Sequence, residues 1–325
     1  MEIENPMLLD PDEYDLGVLP HQRWNVLDLI TVIARPTRPA YIFCDVDMSR
    51  IEMLRQKLKE QGKPITVTAA LLKAISIAQV DFPDARTYLL PWGARVVDPV
   101  PVAGFTVERQ IDGQPVVFFA NMPGIEHMTL QQVAKQLLQY GKGDIQDVPQ
   151  LAKEVFLTKW PWLLRRIGML IGLCVPLIRR EVNCATFGLT SLGKFGMRSV
   201  IGPCVRTCIF GVGSQEDRPV VRDDKIVVRP MMLLELSVDT NVMTQFRAAE
   251  FFARIKHLIE SGMEGHLSGD EVIDYRDLEK SRDEREAMQK RDRDAKVIQS
   301  DRFMLKALRD SRKLARRTAE SKLLA

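Results

Sequence analysis

The chain has 325 residues, of which 46% are apolar and 27% are charged, and its net charge is +3. This apolar fraction excludes disorder along the whole chain, and the balanced charge excludes a polycation that coats nucleic acid. The length fits two domains, or one large domain with added segments. Five cysteines without a CxxC pair and four histidines form no zinc-like pattern, so we predict no metal site and a cytoplasmic protein.

The predicted elements mix helices and strands along most of the chain. After an acidic arm at residues 1–20, hydrophobic periodicity predicts helices and strands with two hairpin turns, at Asp112–Gly113 and Asp223–Asp224. The predicted helices are Trp24–Ile33, Ser49–Gln61 (with Ser49 as its N-cap), Thr66–Val80, Thr129–Tyr140, Val148–Thr158 and Phe246–Glu260. The last is predicted to be amphipathic, with an apolar face of Phe246, Ala249, Phe252, Ala253 and Leu258. The predicted strands are Ala40–Met48, Ala94–Val97, Pro101–Arg109, Gln114–Ala120, Asn183–Leu189, Thr207–Val212, Val220–Arg222, Ile226–Arg229 and Met231–Val238. This order predicts an α/β domain, in which a mixed sheet has flanking helices, over residues 21–265.

Residues 266–325 differ in composition from the rest of the chain. They are rich in both basic and acidic side chains and poor in apolar ones, which predicts a charged helical tail. The tail is either a solvated helix held by ion pairs, or a helix that docks on an acyl carrier, a protein partner or a lipid surface. Phe303 is the one aromatic residue in 301–325, so no stacking platform for nucleic acid is expected.

An apolar insertion occupies residues 159–180, which read KWPWLLRRIGMLIGLCVPLIRR. Its uncharged run, Ile167–Ile178, spans roughly 18 Å as a helix, short of the roughly 30 Å hydrocarbon layer of a bilayer. Tryptophans and arginines at its ends suit a peripheral membrane surface. A core or subunit-interface helix, or the wall of a channel for a long acyl chain, are the other two interpretations.

The most informative segment is Thr186–Gly196, which reads TFGLTSLGKFG and continues through GVG, RPVVRDDK and LELSVDTNV. Together these motifs resemble the catalytic domain of the dihydrolipoamide acyltransferases of 2-oxoacid dehydrogenase complexes, a family related in fold to chloramphenicol acetyltransferase. The resemblance covers residues 20–262. It implies trimers, with an active site in a channel between subunits that admits coenzyme A from one side and the acyl carrier from the other.

The resemblance also implies roles for individual residues. A histidine in the family motif DHRxxDG is the general base, and a Ser or Thr hydroxyl stabilises the oxyanion. Thr190 matches the hydroxyl position. The DHRxxDG positions are degenerate here, because Asp239 is kept while Thr240 replaces the histidine and Thr244 replaces the second acidic or amide residue.

Two functions therefore stay open. The chain is either an acyltransferase with an altered base, which uses coenzyme A or acyl-coenzyme A, or a non-catalytic trimeric scaffold or ligand-binding protein, that is, a pseudoenzyme. Loss of a general base costs about 10²–10⁴-fold in rate. His266 in an HxxxD pattern, or a cysteine such as Cys184 or Cys208, could supply an alternative group. No lipoyl domain and no residues that hold coenzyme A are identified.

Overall fold

The computed structural model describes residues 24–34, 36–111, 114–182, 184–222 and 224–275. The predicted arm at 1–20, the turn Asp112–Gly113 and the tail beyond residue 275 lie outside the described residues. Residues 266–275 are described, and they contain a single 3₁₀ turn at Gly269–Glu271. One compact unit ends at Val272, and a second begins at Ile273.

Within the described ranges, eight α-helices surround the sheet. They are α1 Trp24–Asp28, α2 Ser49–Glu60, α3 Val67–Asp81, α4 Leu130–Lys142, α5 Pro149–Thr158, α6 Trp162–Cys174, α7 Pro176–Val182 and α8 Gln245–Glu260. A π-helical turn, Leu29–Ala34, continues α1.

Eight strands are described. They are β1 Pro39–Asp47, β2 Thr87–Leu89, β3 Arg95–Val97, β4 Val102–Ile111, β5 Gln114–Pro123, β6 Phe187–Ser191, β7 Cys208–Arg222 and β8 Lys225–Asp239. Six of them form one sheet in the order β1-β8-β7-β6-β4-β5, in which β6 runs parallel to β4 and β7 and the other pairs are antiparallel. The predicted mixed sheet with flanking helices is confirmed.

One face of the sheet packs on α3 and α8 to form the core. Thr66 caps α3 by accepting a hydrogen bond from the Ala69 amide at 3.1 Å, and the helix is buried on nearly all sides. Phe210 of β7 lies at the centre, where its ring contacts those of Phe187, Phe251 and Phe252. These contacts fix the register of β6 and β7, and thereby the side chains that the opposite face presents.

The structure corrects four local predictions. The short strands predicted at both sides of residues 223–224 are the ends of β7 and β8, each 15 residues long. Ser49 is not the N-cap of α2, because Met48 precedes the helix and the Ser49 side chain makes no capping bond. Phe246 is 76% exposed and does not belong to the buried face of α8. The segment 159–180 holds two helices, which separate at Val175 before Pro176.

Candidate functional site

A cavity of about 980 Å³ lies against the sheet face opposite the core. Its floor comes from alternate residues of β4 and β6, because successive side chains of a strand point to opposite faces. Thr106 and Thr190 both line it, and their hydroxyl oxygens lie 3.4 Å apart. The predicted site residue Thr190 therefore faces a large cavity beside a second hydroxyl.

The walls and roof of the cavity are mainly apolar and come from α1, α5, α6 and α7. On α6, Leu164, Gly168 and Met169 fall on one helical stripe and face the cavity, and Ile178 of α7 continues this surface. The segment 159–180 thus lines a cavity, which is the geometry expected of a channel wall. No helix within the described ranges combines the length and apolar character needed to cross a bilayer.

A buried carboxylate joins α1 to α6 at the edge of this roof. Asp28 is 0% exposed, and its two oxygens lie 2.9 Å from Arg165 Nε and 3.1 Å from Arg166 Nε. The Arg179 guanidinium lies 3.8 Å over the ring of Tyr88. Three of the four arginines that bracket the apolar run therefore contact protein groups, which weakens the argument that they bind lipid headgroups.

The DHRxxDG positions lie away from this cavity and connect backbone segments. Thr240 donates its hydroxyl and its amide to the carbonyl oxygen of Arg38, at 2.7 and 2.9 Å. Asp239 Oδ1 accepts hydrogen bonds from the amides of Arg38 and Asn241, both at 3.1 Å. Thr244 caps α8 by accepting from the Arg247 amide at 3.3 Å. These residues anchor the turn after β8 to the start of β1, and one protomer does not bring them to Thr190.

The histidines of the described residues do not line the cavity. The His127 side chain is 87% exposed, and His257 lies in the last turn of α8. Burial, and then the charge of Arg254, lower the pKa of His266, whose Nε2 lies 3.4 Å from Arg254 Nη2. His266 is therefore poorly placed to act as the missing base, and His21 falls outside the described residues.

The cysteines also fit a structural role. Burial raises the pKa of Cys44 to about 11 and that of Cys204 to about 12, and it raises the pKa of Cys208 well above its usual value. Because the thiolate is the nucleophile, these thiols are unreactive near neutral pH. Cys184 lies before β6, outside the strand predicted for it. Among the described residues, no group of three or more side chains could hold a metal ion.

The sequence reasoning missed two residues of this sheet face. The place of Thr106 beside Thr190 follows only from the pairing of β4 with β6 in the structure. Glu235 of β8 is 0% exposed, and burial raises its pKa to about 7, although hydrogen bonds from Ser237 and from the Gly211 amide oppose this shift. The signal for Glu235 was an acidic residue inside the apolar strand pattern MMLLELSV.

Glu235 is buried because a loop crosses the sheet above it. A Cβ atom at Gly211 would lie 1.7 Å from the Val200 carbonyl oxygen and 2.9 Å from Glu235 Oε2, so position 211 admits only glycine. Ser237 donates its hydroxyl to Glu235 Oε1 at 2.5 Å, while Oε2 has no hydrogen-bond partner within the described residues. The raised pKa follows from this enclosure.

Comparison with known proteins finds a family model that matches part of the chain. Residues 176–267 match the model of the 2-oxoacid dehydrogenases acyltransferase catalytic domain. A curated relative, the dihydrolipoyllysine-residue acetyltransferase component of the pyruvate dehydrogenase complex of Rhizobium meliloti, is 24% identical over 79% of this chain and 52% of its own. The chain thus spans about half the length of this relative, and shorter alignments cover about 20% of several others.

Two solved structures share the fold. One is an Azotobacter vinelandii dihydrolipoamide acetyltransferase, solved to investigate a serine, a histidine and an asparagine in its catalytic mechanism; its TM-score is 0.57 at 20% identity, covering 77% of this chain and 93% of that one. The other is the cubic core of a pyruvate dehydrogenase multienzyme complex, with a TM-score of 0.55 at 19% identity and the same coverage. The chain therefore has the fold of these catalytic cores, and its residues 176–267, which contain Thr190 and Thr240, match the catalytic-domain model of the 2-oxoacid dehydrogenase acyltransferases.

Proposed function

We propose that this chain binds an acyl thioester of coenzyme A through Thr190 and lacks histidine-dependent acyl transfer. The observation that carries this proposal is the hydroxyl pair of Thr106 and Thr190 on the floor of an apolar cavity. Two hydroxyls 3.4 Å apart can both donate to one carbonyl oxygen, and the apolar wall suits the acyl group.

The residue at the position of the general base argues against ordinary acyl transfer. A general base needs a pKa near the working pH, which a threonine hydroxyl does not have. Here the Thr240 hydroxyl already donates to the Arg38 carbonyl oxygen at 2.7 Å, so it serves the turn after β8. The Thr190 hydroxyl can donate to the carbonyl oxygen of a thioester, but Thr240 cannot act as the base that transfer needs. Recognition of the thioester is therefore the function that the geometry supports best.

Coenzyme A fits this site through its acyl end. The cavity lining is mainly apolar and contains no lysine; of its two arginines, Arg165 is paired with Asp28 and Arg206 is only 7% exposed, so the phosphates of coenzyme A would lie outside it. The chemistry that coenzyme A supplies is the thioester itself, and the chain's residues hold the acyl group and the carbonyl oxygen.

We also propose that the chain forms a homotrimer or a larger homo-oligomer. The family resemblance implies a site between subunits, and one protomer keeps Thr190 apart from the turn that contains Thr240. The edge strand β1 exposes Tyr41 and Phe43, at 49% and 48%, beside its single partner β8. A light-scattering mass of three times 37.0 kDa would support the trimer, and a monomer would contradict it.

The activity assay measures hydrolysis of octanoyl-coenzyme A and transfer to a dithiol. We expect the wild type to turn over at least about 10²-fold more slowly than the usual 1–10³ s⁻¹ of enzymes, because the base is missing. Thr240→His tests whether an imidazole at the family position raises the rate. Thr190→Ser keeps a hydroxyl and serves as the control for Thr190→Val. Wild-type turnover at ordinary rates that Thr190→Val abolishes would contradict the proposal.

A further inference from the structure

We propose that the cavity takes a long unbranched alkyl chain, whose carbonyl oxygen lies at Thr106 and Thr190. This inference rests on the proposed function and names its substrate class: long-chain acyl thioesters rather than acetyl or other short acyl groups. Four features of the cavity support it, namely its volume, the pairing of its charges, its exposed apolar wall and an open glycine in its roof.

The volume is far greater than a short acyl group needs. A cavity of about 980 Å³ lies at the upper end of the range for small-molecule pockets, roughly 300–1,000 Å³. At about 30 Å³ per water molecule it would hold roughly 30 waters, whereas an acetyl group has three heavy atoms. A short acyl group at Thr190 would leave most of this apolar space filled with water.

The charged residues of the wall are already engaged with other protein groups. Five charged residues line the cavity, and each interacts with other groups of the chain. The interactions are Asp28 with Arg165, Glu108 with Lys194 and Glu154 with the Phe119 amide, while the buried Arg206 feels the charges of both Arg179 and Asp98. What the cavity offers a ligand is therefore apolar surface and the two floor hydroxyls.

The apolar side chains of the cavity wall are exposed to solvent, whereas those of a protein core are buried. Five large apolar side chains of the wall are between 37% and 50% exposed. They are Ile30, Val117, Trp160, Leu164 and Ile178. Exposed apolar surface that is contiguous and concave marks a binding site, and removing it from water gives an alkyl chain its affinity.

A substitution at Gly168 can test whether the ligand occupies the cavity. It lies on the cavity-facing stripe of α6, and a Cβ atom added there would meet no atom within 4 Å. A leucine at this position therefore has open space for its Cβ atom and takes up part of the cavity volume, and it replaces glycine with a better helix former. Gly141 of α4 is the matched control, because it also has open space around a Cβ atom but does not line the cavity.

The experiment measures equilibrium binding of acyl-coenzyme A analogues in which a methylene group replaces the thioester sulfur. The acyl groups are acetyl, butanoyl, octanoyl, dodecanoyl and hexadecanoyl, and free hexadecanoate is a separate arm. We expect affinity to rise with chain length, by about fourfold for each buried methylene, up to the length that fills the cavity. Gly168→Leu should weaken hexadecanoyl binding about tenfold and leave acetyl binding unchanged. Gly141→Leu should behave as the wild type.

The possible outcomes separate this inference from the function on which it rests. Equal affinity for all chain lengths would overturn the long-chain inference while the proposed thioester site stands. No binding of any analogue would overturn both. If free hexadecanoate binds as tightly as the hexadecanoyl analogue, recognition of the alkyl chain is supported and recognition of the thioester is overturned. A Gly168→Leu variant that binds every length as the wild type does would place the chain outside this cavity.

Discussion

Replacing Asp28 with alanine should lower the free energy of unfolding by about 3–5 kcal/mol, because it leaves two arginines without their buried counter-charge. The Asp28 carboxylate binds Arg165 and Arg166 at 2.9 and 3.1 Å, and the Arg165 side chain is only 6% exposed. Chemical denaturation monitored by circular dichroism measures the loss. The pair also joins α1 to α6, so long-chain binding should weaken in the same variant.

Two further variants control this result. Asp81→Ala breaks a pair of partly exposed groups, Arg254 and Asp81, at 3.0 Å, and should cost less than about 1 kcal/mol. The double variant Asp28→Leu with Arg165→Met replaces charges by apolar groups and should recover part of the stability. If Asp28→Ala costs no more than Asp81→Ala, then Asp28 does not hold the roof of the cavity.

The second large effect concerns Glu235 and depends on pH. The pKa of this carboxyl is about 7 in the folded protein, against an ordinary value of 4.5, because burial disfavours its charged form. Since the folded state binds the proton more tightly, its contribution is fully present below pH 4.5. The free energy of unfolding should fall as pH rises from about 4.5 to about 7 and then level off, with a total change of about 3 kcal/mol.

Glu235→Gln removes this titration while keeping an acceptor for the Ser237 hydroxyl. We expect its unfolding free energy to exceed that of the wild type by about 3 kcal/mol at pH 8, with a difference that shrinks toward pH 5. Urea denaturation at intervals between pH 5 and pH 8 measures this. Glu60→Gln, at an exposed position of α2, should not change the pH profile. A difference between Glu235→Gln and the wild type that does not vary with pH would refute the argument.

Much of the fold follows from local patterns in the sequence. The alternation in residues 40–48 matches β1, and the apolar run after Thr66 matches the buried helix α3. The polar residues 214–218 hid the continuity of β7, because a strand that leaves the core no longer alternates between apolar and polar side chains. The exposed Phe246 misled the assignment of the α8 face, since an aromatic residue at helical spacing need not be buried.

The candidate site was predictable only in part. The motif around Thr190 pointed to its hydroxyl because a local pattern carries it. Thr106 and Gly168 belong to segments distant in sequence from Thr190, and tertiary packing alone brings them to one cavity. The substitution at Thr240 was visible in the sequence, but its hydrogen bond to Arg38 required the pairing of β1 with β8.

A crystal structure with the hexadecanoyl analogue of acyl-coenzyme A tests the proposed binding site most directly. We predict that the alkyl chain lies between α6 and the sheet, with its carbonyl oxygen within hydrogen-bond distance of Thr190 Oγ1 and Thr106 Oγ1. An alkyl chain bound elsewhere, with the cavity beside Thr190 filled only by water, would contradict the proposed acyl site.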